Sequence, residues 1–115
     1  MRTEFLFAEI FAHPKDFYGK HVGVKAVLVV KGGECYLVQN FKSYAPAQRI
    51  EVFSPRLEEK LDKMVGAWVG EPASYFEKVV ISGVLQEGTT RKCLFSICDL
   101  TALEVVREGN AYTVI

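Results

Sequence analysis

Residues 21 to 30 read HVGVKAVLVV, and their alternation limits the folds that the chain can adopt. Every even position of this stretch is apolar, whereas His21, Gly23 and Lys25 occupy the alternate positions. From Val27 onward both sets of positions are apolar. Because successive side chains of a strand point to opposite faces, the pattern predicts a strand that starts half exposed and ends covered on both sides. The chain's sheet therefore begins with a strand that enters an enclosed region.

Similar patterns predict four further strands and two helices. The glycines of KGGE, residues 31–34, predict a turn that pairs the first two strands as a hairpin. In chain order we predict a helix around residues 3–12, strands at 21–30, 35–39 and 49–53, a helix from Pro55 to between Val65 and Val69, a strand at 78–86 with a bend at Gly83, and a long fifth strand over 93–108, kinked or divided near Asp99.

The second helix carries its apolar side chains on one face. Ser54 supplies a capping hydroxyl and Pro55 suits the first helical position, where the missing N–H has no intrahelical partner. Leu57, Leu61 and Trp68 then follow at helical spacing. We expect these three side chains to close one end of a β-barrel, with a stacking role for Trp68 as the alternative.

This order of elements resembles the oligonucleotide/oligosaccharide-binding (OB) fold, a five-stranded Greek-key barrel. Residues 13–24, HPKDFYGKHVGV, are also similar to the entry into the first strand of small bacterial OB domains. The resemblance implies one all-β domain over residues 1–115, with a short N-terminal helix and a second helix between strands three and four. It also implies that ligands bind on the outer face of strands two and three and on the loops that join strands one to two and four to five.

Nine residues in those regions combine cations for phosphates with rings on which bases can stack. The candidate nucleic-acid-binding residues are Lys25, Lys31, Tyr36, Phe41, Lys42, Tyr44, Arg49, Arg91 and Lys92. We expect Tyr36, Phe41, Lys42, Tyr44 and Arg49 to share one face, because the loop over residues 40–48 returns the chain from the second strand to the third. The alternative is that Phe41 and Tyr44 only hold that loop against the barrel.

Positive charge is concentrated in the first half of the chain, but this distribution does not decide between the two hypotheses for its function given below. Residues 13–49 carry six Lys or Arg against two acidic residues, whereas residues 50–115 carry seven against ten. The whole chain has no net charge and a pI near 6.7, which does not favour tight, sequence-blind binding of nucleic acid. The first hypothesis is therefore a module that holds short single-stranded DNA or RNA. The second is a protein-interaction module or homodimer.

No motif predicts catalysis, a metal or a cofactor. Ser82 lacks the first glycine of a nucleophile elbow, and the Gly32–Gly33 pair lacks the context of a phosphate loop. The three cysteines and two histidines do not have the spacing of a metal site, and we expect three reduced thiols. No apolar run is long enough to span a membrane, and Glu4 and Glu9 interrupt the N-terminus, so we expect a cytoplasmic, non-enzymatic protein without a signal peptide.

Overall fold

The computed structural model describes residues 4–42, 48–67, 73–88 and 93–115. In chain order its elements are β1 (Glu4–Phe5), α1 (Phe7–Ala12), a 3₁₀ turn (Pro14–Asp16), β2 (His21–Lys31), β3 (Glu34–Val38), β4 (Ile50–Val52), α2 (Leu57–Met64), β5 (Tyr75–Glu87), β6 (Phe95–Arg107) and β7 (Asn110–Thr113).

Five of these strands close into a barrel. Around it β2 pairs with β3, β3 with β4, β4 with β6, and β6 with β5, which returns to pair with β2. The β4–β6 pairing is parallel, whereas the other four pairings are antiparallel. Helix α2 connects β4 to β5, so it lies between the third and fourth barrel strands in chain order. The predicted five-stranded Greek-key barrel with two helices is confirmed.

Strand β2 accounts for the two-faced pattern of the first predicted strand. Nearly its whole length pairs with β5, and its second half also pairs with β3. Its even-numbered apolar side chains lie in the main core. The odd-numbered Val27 and Val29 are buried as well, in a separate cluster with Val38 of β3 on the outside of the barrel. The predicted passage from a half-exposed region to a covered one is confirmed.

The two helices lie at opposite ends of the barrel. The ring of Phe11 in α1 packs edge-on against Phe95, the first residue of β6, with centroids 5.4 Å apart. Arg107, the last residue of β6, donates from Nη1 to the carbonyl oxygen of Gly66, just after α2, at 2.7 Å. Because Phe95 and Arg107 are the two ends of one strand, α1 and α2 close different ends.

The start of α2 differs from the prediction, whereas its end agrees with it. The helix begins at Leu57, so the predicted start at Pro55 is wrong. The carbonyl oxygen of Ser54 accepts from the Leu57 N–H at 3.2 Å, which makes residues 54–57 a turn before the helix. After Met64 the chain leaves the helix, and Gly66 has the left-handed φ of 94° that commonly terminates helices.

Two of the three residues predicted to close the barrel at α2 are placed there. Leu57 and Leu61 are buried in the main core, and neither exposes more than 4% of its surface. The third, Trp68, lies outside the described residues. The closure of this end by α2 therefore depends, among the described residues, on the two leucines.

Strand β6 is irregular opposite the glycine that was predicted to mark a bend. At Gly83 the pairing register between β5 and β6 shifts. A Cβ atom on this glycine would lie 2.7 Å from the carbonyl oxygen of Cys98, so the two backbones approach too closely for any other residue. Asp99, next to this contact, has φ of 49°. The fifth predicted strand is thus one continuous strand with a bulge near Asp99.

Two short strands at the ends of the chain are absent from the sequence prediction. The predicted helix over residues 3–12 begins only at Phe7, because Glu4 and Phe5 pair in parallel with β2 instead. At the other end, β7 forms a hairpin with β6 through a turn at Glu108 and Gly109. Both strands add to the barrel sheet at the edges that β3 and β4 leave free.

A buried polar cluster joins α2 to the barrel. The Glu77 side chain lies inside the barrel end, and Arg107 Nε donates to its two carboxylate oxygens at 3.1 and 3.0 Å. The same guanidinium holds the Gly66 carbonyl. Beside it, the fully buried Tyr75 donates its hydroxyl to Asp62 of α2 at 2.5 Å. These bonds fix the position of α2 relative to β5 and β6.

We predict that Tyr75→Phe makes the free energy of unfolding depend less on pH above about pH 10 than it does in the parent. Burial, followed by the hydrogen bond to Asp62, raises the pKa of Tyr75, so the folded state favours the neutral phenol. This stabilisation is complete below the unfolded pKa of about 10 and is lost as the pH rises toward the folded value. At pH 7 the variant should be about 1 kcal/mol less stable, because it lacks the hydrogen bond.

The measurement is urea unfolding of the parent and of Tyr75→Phe between about pH 7 and pH 11. The difference in unfolding free energy should narrow above about pH 10, because only the parent loses the Tyr75 contribution there. A difference that stays constant over this range would show that the Tyr75 phenol titrates alike in the folded and unfolded chains.

Candidate nucleic-acid interface

The outward side chains of β2, β3 and β5, the first, second and fourth barrel strands, form a surface that we call the outer face from here on. It overlaps the predicted face of the second and third strands, β3 and β4, only in part. Across these strands the residues Phe76, Val29 and Tyr36 are direct neighbours in register. Val27 and Val38 form the next row and are buried. The rings of Phe76 in β5 and Tyr36 in β3 therefore lie on the two sides of a small apolar cluster and on the same surface of the barrel.

Arg49 covers one side of the Tyr36 ring. Its guanidinium carbon lies over the ring, 4.2 Å from the ring centroid, which is a cation–π contact. The Nε atom of Arg49 is buried and has no hydrogen-bond partner among the described residues. The two residues come from β3 and from the segment just before β4, which pair through Tyr36 and Glu51. Tyr36 and Arg49 thus form a ring–cation pair on this surface.

A second ring–cation pair lies on the β5 side of the outer face. Phe41 exposes 38% of its surface and packs edge-on against Phe76, with centroids 5.0 Å apart. The Lys78 Nζ lies 5.9 Å from the Phe41 centroid. Phe41 therefore belongs to the outer face through its contact with β5. The contact with Phe76 also agrees with the alternative that Phe41 holds its loop against the barrel.

Three more candidate cations surround these rings. Lys25 and Lys31 are exposed at odd positions of β2, on the same side as Val27 and Val29. Lys42 is exposed beside Phe41, and its backbone N–H donates to the Asn40 side chain at 2.9 Å. Together with Arg49 and Lys78, these three lysines make five described cations on this surface. Two carboxylates, those of Glu34 and Glu51, lie on the neighbouring strands.

The structure brings together some of the predicted site residues and adds others. Tyr36 contacts Arg49 directly, and Phe41 reaches the same row through Phe76. Tyr44, Arg91 and Lys92 lie outside the described residues. Phe76 and Lys78 were missed, because the sequence does not show which face of β2 lies beside them. Their alternation with the buried residues of β5 was the only available signal.

Next to the outer face lies a groove of about 900 Å³, bounded by the start of β3, the end of β4 and the first turn of α2. We call it the α2 groove. Its described charged residues are Glu34, Glu51, Glu58, Glu59, Arg49 and Arg56, so carboxylates outnumber cations by four to two. The ring of Phe53 at its edge is 60% exposed. The groove shares Tyr36, Arg49, Glu34 and Glu51 with the outer face, so the two surfaces adjoin there.

Cys35 lies on the wall of the α2 groove with its side chain mostly covered. Burial, followed by the charge of Glu58, raises the pKa of the Cys35 thiol to about 12. Burial and Asp99 also raise the pKa of Cys98. None of the three cysteines forms a disulfide, in agreement with the prediction of reduced thiols. Cys93 precedes β6, however, and does not share that strand with Cys98.

We predict that Cys35 alkylates slowly in the folded protein. Only the thiolate reacts, so a pKa of about 12 should reduce the rate with iodoacetamide at pH 8 at least about a hundredfold relative to an ordinary cysteine. Peptide mapping by mass spectrometry over time gives the rate at each cysteine. In denaturant Cys35 should react at the ordinary rate, and equal rates in the two states would contradict the prediction.

Two negative findings apply to the described parts of the chain. Residues 4–42, 48–67, 73–88 and 93–115 contain no group of three or more His, Cys, Asp or Glu side chains that could hold a metal ion. Within the same ranges, no helix has the length and apolar character needed to cross a membrane.

Comparison with known proteins identified no relative of this chain. No protein-family model matches it, no curated protein sequence matches it, and no solved structure matches it.

Proposed function

We propose that the chain is a binding module that holds a short segment of single-stranded nucleic acid on its outer face. The observation that carries the proposal is the pair of ring–cation contacts, Tyr36 with Arg49 and Phe41 with Lys78, on one surface of the barrel. Single-strand binding uses this combination, because every base offers a flat face and every nucleotide a phosphate.

The two ring–cation pairs supply different interactions. The Tyr36–Arg49 pair places a guanidinium and an aromatic ring together, and a base can stack on either group. Phe41 offers a partly exposed ring, and each base stacked on an aromatic ring gains about 1–3 kcal/mol. Lys25, Lys31 and the neighbouring cations lie around the rings, where they can contact phosphates. Recognition is then largely independent of sequence.

The same surface limits the affinity. Five described cations allow only a few phosphate contacts, and the chain carries no net charge to attract a polyanion from a distance. The turn between β2 and β3 contains only Gly32 and Gly33, so it adds no side chain that could clamp a strand. Binding should therefore be weak and strongly dependent on salt, as in one module of a larger assembly.

We predict that ring and cation variants of the outer face lose affinity in different ways. Phe41→Ala should weaken binding of a fluorescein-labelled dT12 or rU12 by about 1–3 kcal/mol without changing the salt dependence, because stacking releases no counterions. Lys42→Ala should lower the slope of log affinity against log salt by up to about one unit. Fluorescence anisotropy at several salt concentrations measures both quantities.

Lys15→Ala and Leu6→Ala serve as controls, because they remove one exposed cation and one exposed apolar side chain from the α1 end of the chain. Both should bind the oligonucleotides as the parent does. If Phe41→Ala and Lys42→Ala also bind as the parent does, the outer face is not the site. If they change the oligomeric state in light scattering instead, the surface is an interface between protein chains.

A further inference from the structure

Phe53 continues the surface of Tyr36 and Arg49 into the α2 groove. It lies two residues beyond Glu51, which pairs with Tyr36, and its backbone N–H donates to the Ile97 carbonyl oxygen at 2.9 Å. Because alternate residues of a strand share a face, Phe53 lies on the same side of β4 as Glu51. Its ring is 60% exposed at the groove edge. A nucleic-acid strand held by Tyr36 and Arg49 can therefore continue onto the Phe53 ring.

The described side chains of the α2 groove leave no excess of either charge for a ligand. Glu34 and Glu51 each have an interaction partner within the chain. The remaining charged groups are two carboxylates and two guanidiniums, from Glu58, Glu59, Arg49 and Arg56. Such a balanced set favours neither a polycation nor a polyanion. It suits a neutral polar group that has several hydrogen-bond donors and acceptors.

The carboxylate of Glu58 acts on the inside of the groove. Its charge contributes to the raised pKa of Cys35, which lies in the β3 wall. The apolar side chains of Val52 and Leu57 line the groove as well. The groove's volume of about 900 Å³ is at the upper end of the range for ligand pockets, so a nucleobase fits within it.

We propose that the α2 groove binds one guanine base of the nucleic-acid strand that the outer face holds. The base stacks on Phe53, and its edges are hydrogen-bonded to Glu58 and Arg56. The inference rests on the proposed function and adds to it one contact that depends on sequence. The groove shares Tyr36 and Arg49 with the proposed site, so the base belongs to the same strand.

Guanine is the base whose edges fit a carboxylate and a guanidinium together. Its N1–H and its 2-amino group donate jointly to one carboxylate, and its O6 and N7 accept jointly from one guanidinium. Adenine and cytosine offer a carboxylate one amino group each. Thymine and uracil offer a single N–H between two carbonyl oxygens, which a carboxylate repels. A strand should therefore bind with a guanine in the groove whenever it contains one.

The test compares fluorescein-labelled dT12 with 12-mers in which one central thymine is replaced by guanine, adenine, cytosine or inosine. A single guanine per strand avoids quadruplexes. The guanine 12-mer should bind about fivefold more tightly than dT12, at the low end for a bidentate contact because Glu58 and Glu59 are exposed. Inosine lacks the 2-amino group, so its 12-mer, like those with adenine or cytosine, should bind within about twofold of dT12.

Variants assign the preference to the groove through the ratio of the affinities for the guanine 12-mer and dT12. Glu59 adjoins Glu58 and can replace it, so both are changed. Glu58→Gln/Glu59→Gln should lower the ratio to about one. Glu104→Gln, which removes an exposed carboxylate from β6, should keep the parent's ratio. Because both oligonucleotides are measured on each variant, a general change in stability or charge does not alter the ratio.

Amide chemical shifts of the parent locate the base without any substitution. The guanine 12-mer should shift residues 53–59 more than dT12 does. An affinity ratio near one in the parent, equal binding of the guanine and inosine 12-mers, a ratio unchanged in the double variant, or no added shifts at residues 53–59 would overturn the inference. Salt-dependent binding of dT12 with a ratio near one contradicts this inference alone, whereas no binding of any 12-mer contradicts the proposed function as well.

Discussion

Glu77→Ala is expected to lower the free energy of unfolding by about 3–5 kcal/mol, among the largest effects of any single substitution in the chain. The Glu77 carboxylate is 4% exposed and accepts two hydrogen bonds from Arg107. Removing it takes from the guanidinium of Arg107, itself largely buried, the carboxylate that Nε contacts. The substitution also loosens the link through Gly66 to α2.

Urea unfolding of three variants tests this expectation. Glu104→Ala, an exposed glutamate on β6, should stay within about 0.5 kcal/mol of the parent. Glu77→Leu combined with Arg107→Leu should cost less than Glu77→Ala alone, because both charges of this buried ion pair are then replaced by apolar side chains. A Glu77→Ala protein as stable as the parent would mean that the ion pair is not buried at the barrel end.

Leu61→Ala is expected to cost about 2–5 kcal/mol, whereas Met64→Ala on the same helix should cost less than about 1 kcal/mol. Leu61 is completely buried in the main core, but Met64 exposes 47% of its surface. Alanine favours helices, so helix propensity cannot explain a loss at either position. The difference between the two losses in unfolding free energy measures how much more tightly Leu61 than Met64 is packed into the end of the barrel.

Thermal or urea unfolding of the two α2 variants gives this difference directly. If both cost about the same small amount, α2 lies on the surface and the core ends at the strands. If Met64→Ala is the more damaging, the buried face of α2 is rotated relative to the one described. Either result would contradict the closure of the barrel by Leu57 and Leu61.

The sequence predicts the barrel well wherever its strands have two distinct faces. The alternation in residues 21–30 predicts both the length of β2 and its covered second half. Strands β1 and β7 escape prediction, because two to four residues are too few to show a period and their pairing with β2 and β6 is set by tertiary contacts. The turn at Glu108 and Gly109 is the local signal that would have indicated β7.

The sequence predicts the residues of the candidate site less completely than it predicts the fold. Tyr36, Phe41 and Arg49 were identified from their position in the predicted strands and loop. Phe76 and Lys78 join them only through the pairing of β5 with β2, which brings together residues about 50 positions apart. The same holds for Glu77 and Arg107, whose contact depends on the register of β5 against β6. Register across distant strands is fixed by packing and not by local pattern.

The most direct test of the proposed function is a salt titration of the unsubstituted chain with fluorescein-labelled dT12 and rU12. Three to five phosphate contacts by the cations of the outer face predict that log affinity falls with log salt at a slope of about −2 to −3.5. Binding should be measurable at about 50 mM salt and largely lost at about 200 mM. No binding to either oligonucleotide at the lower concentration, or binding with a slope near zero, would contradict the proposal that the outer face holds single-stranded nucleic acid.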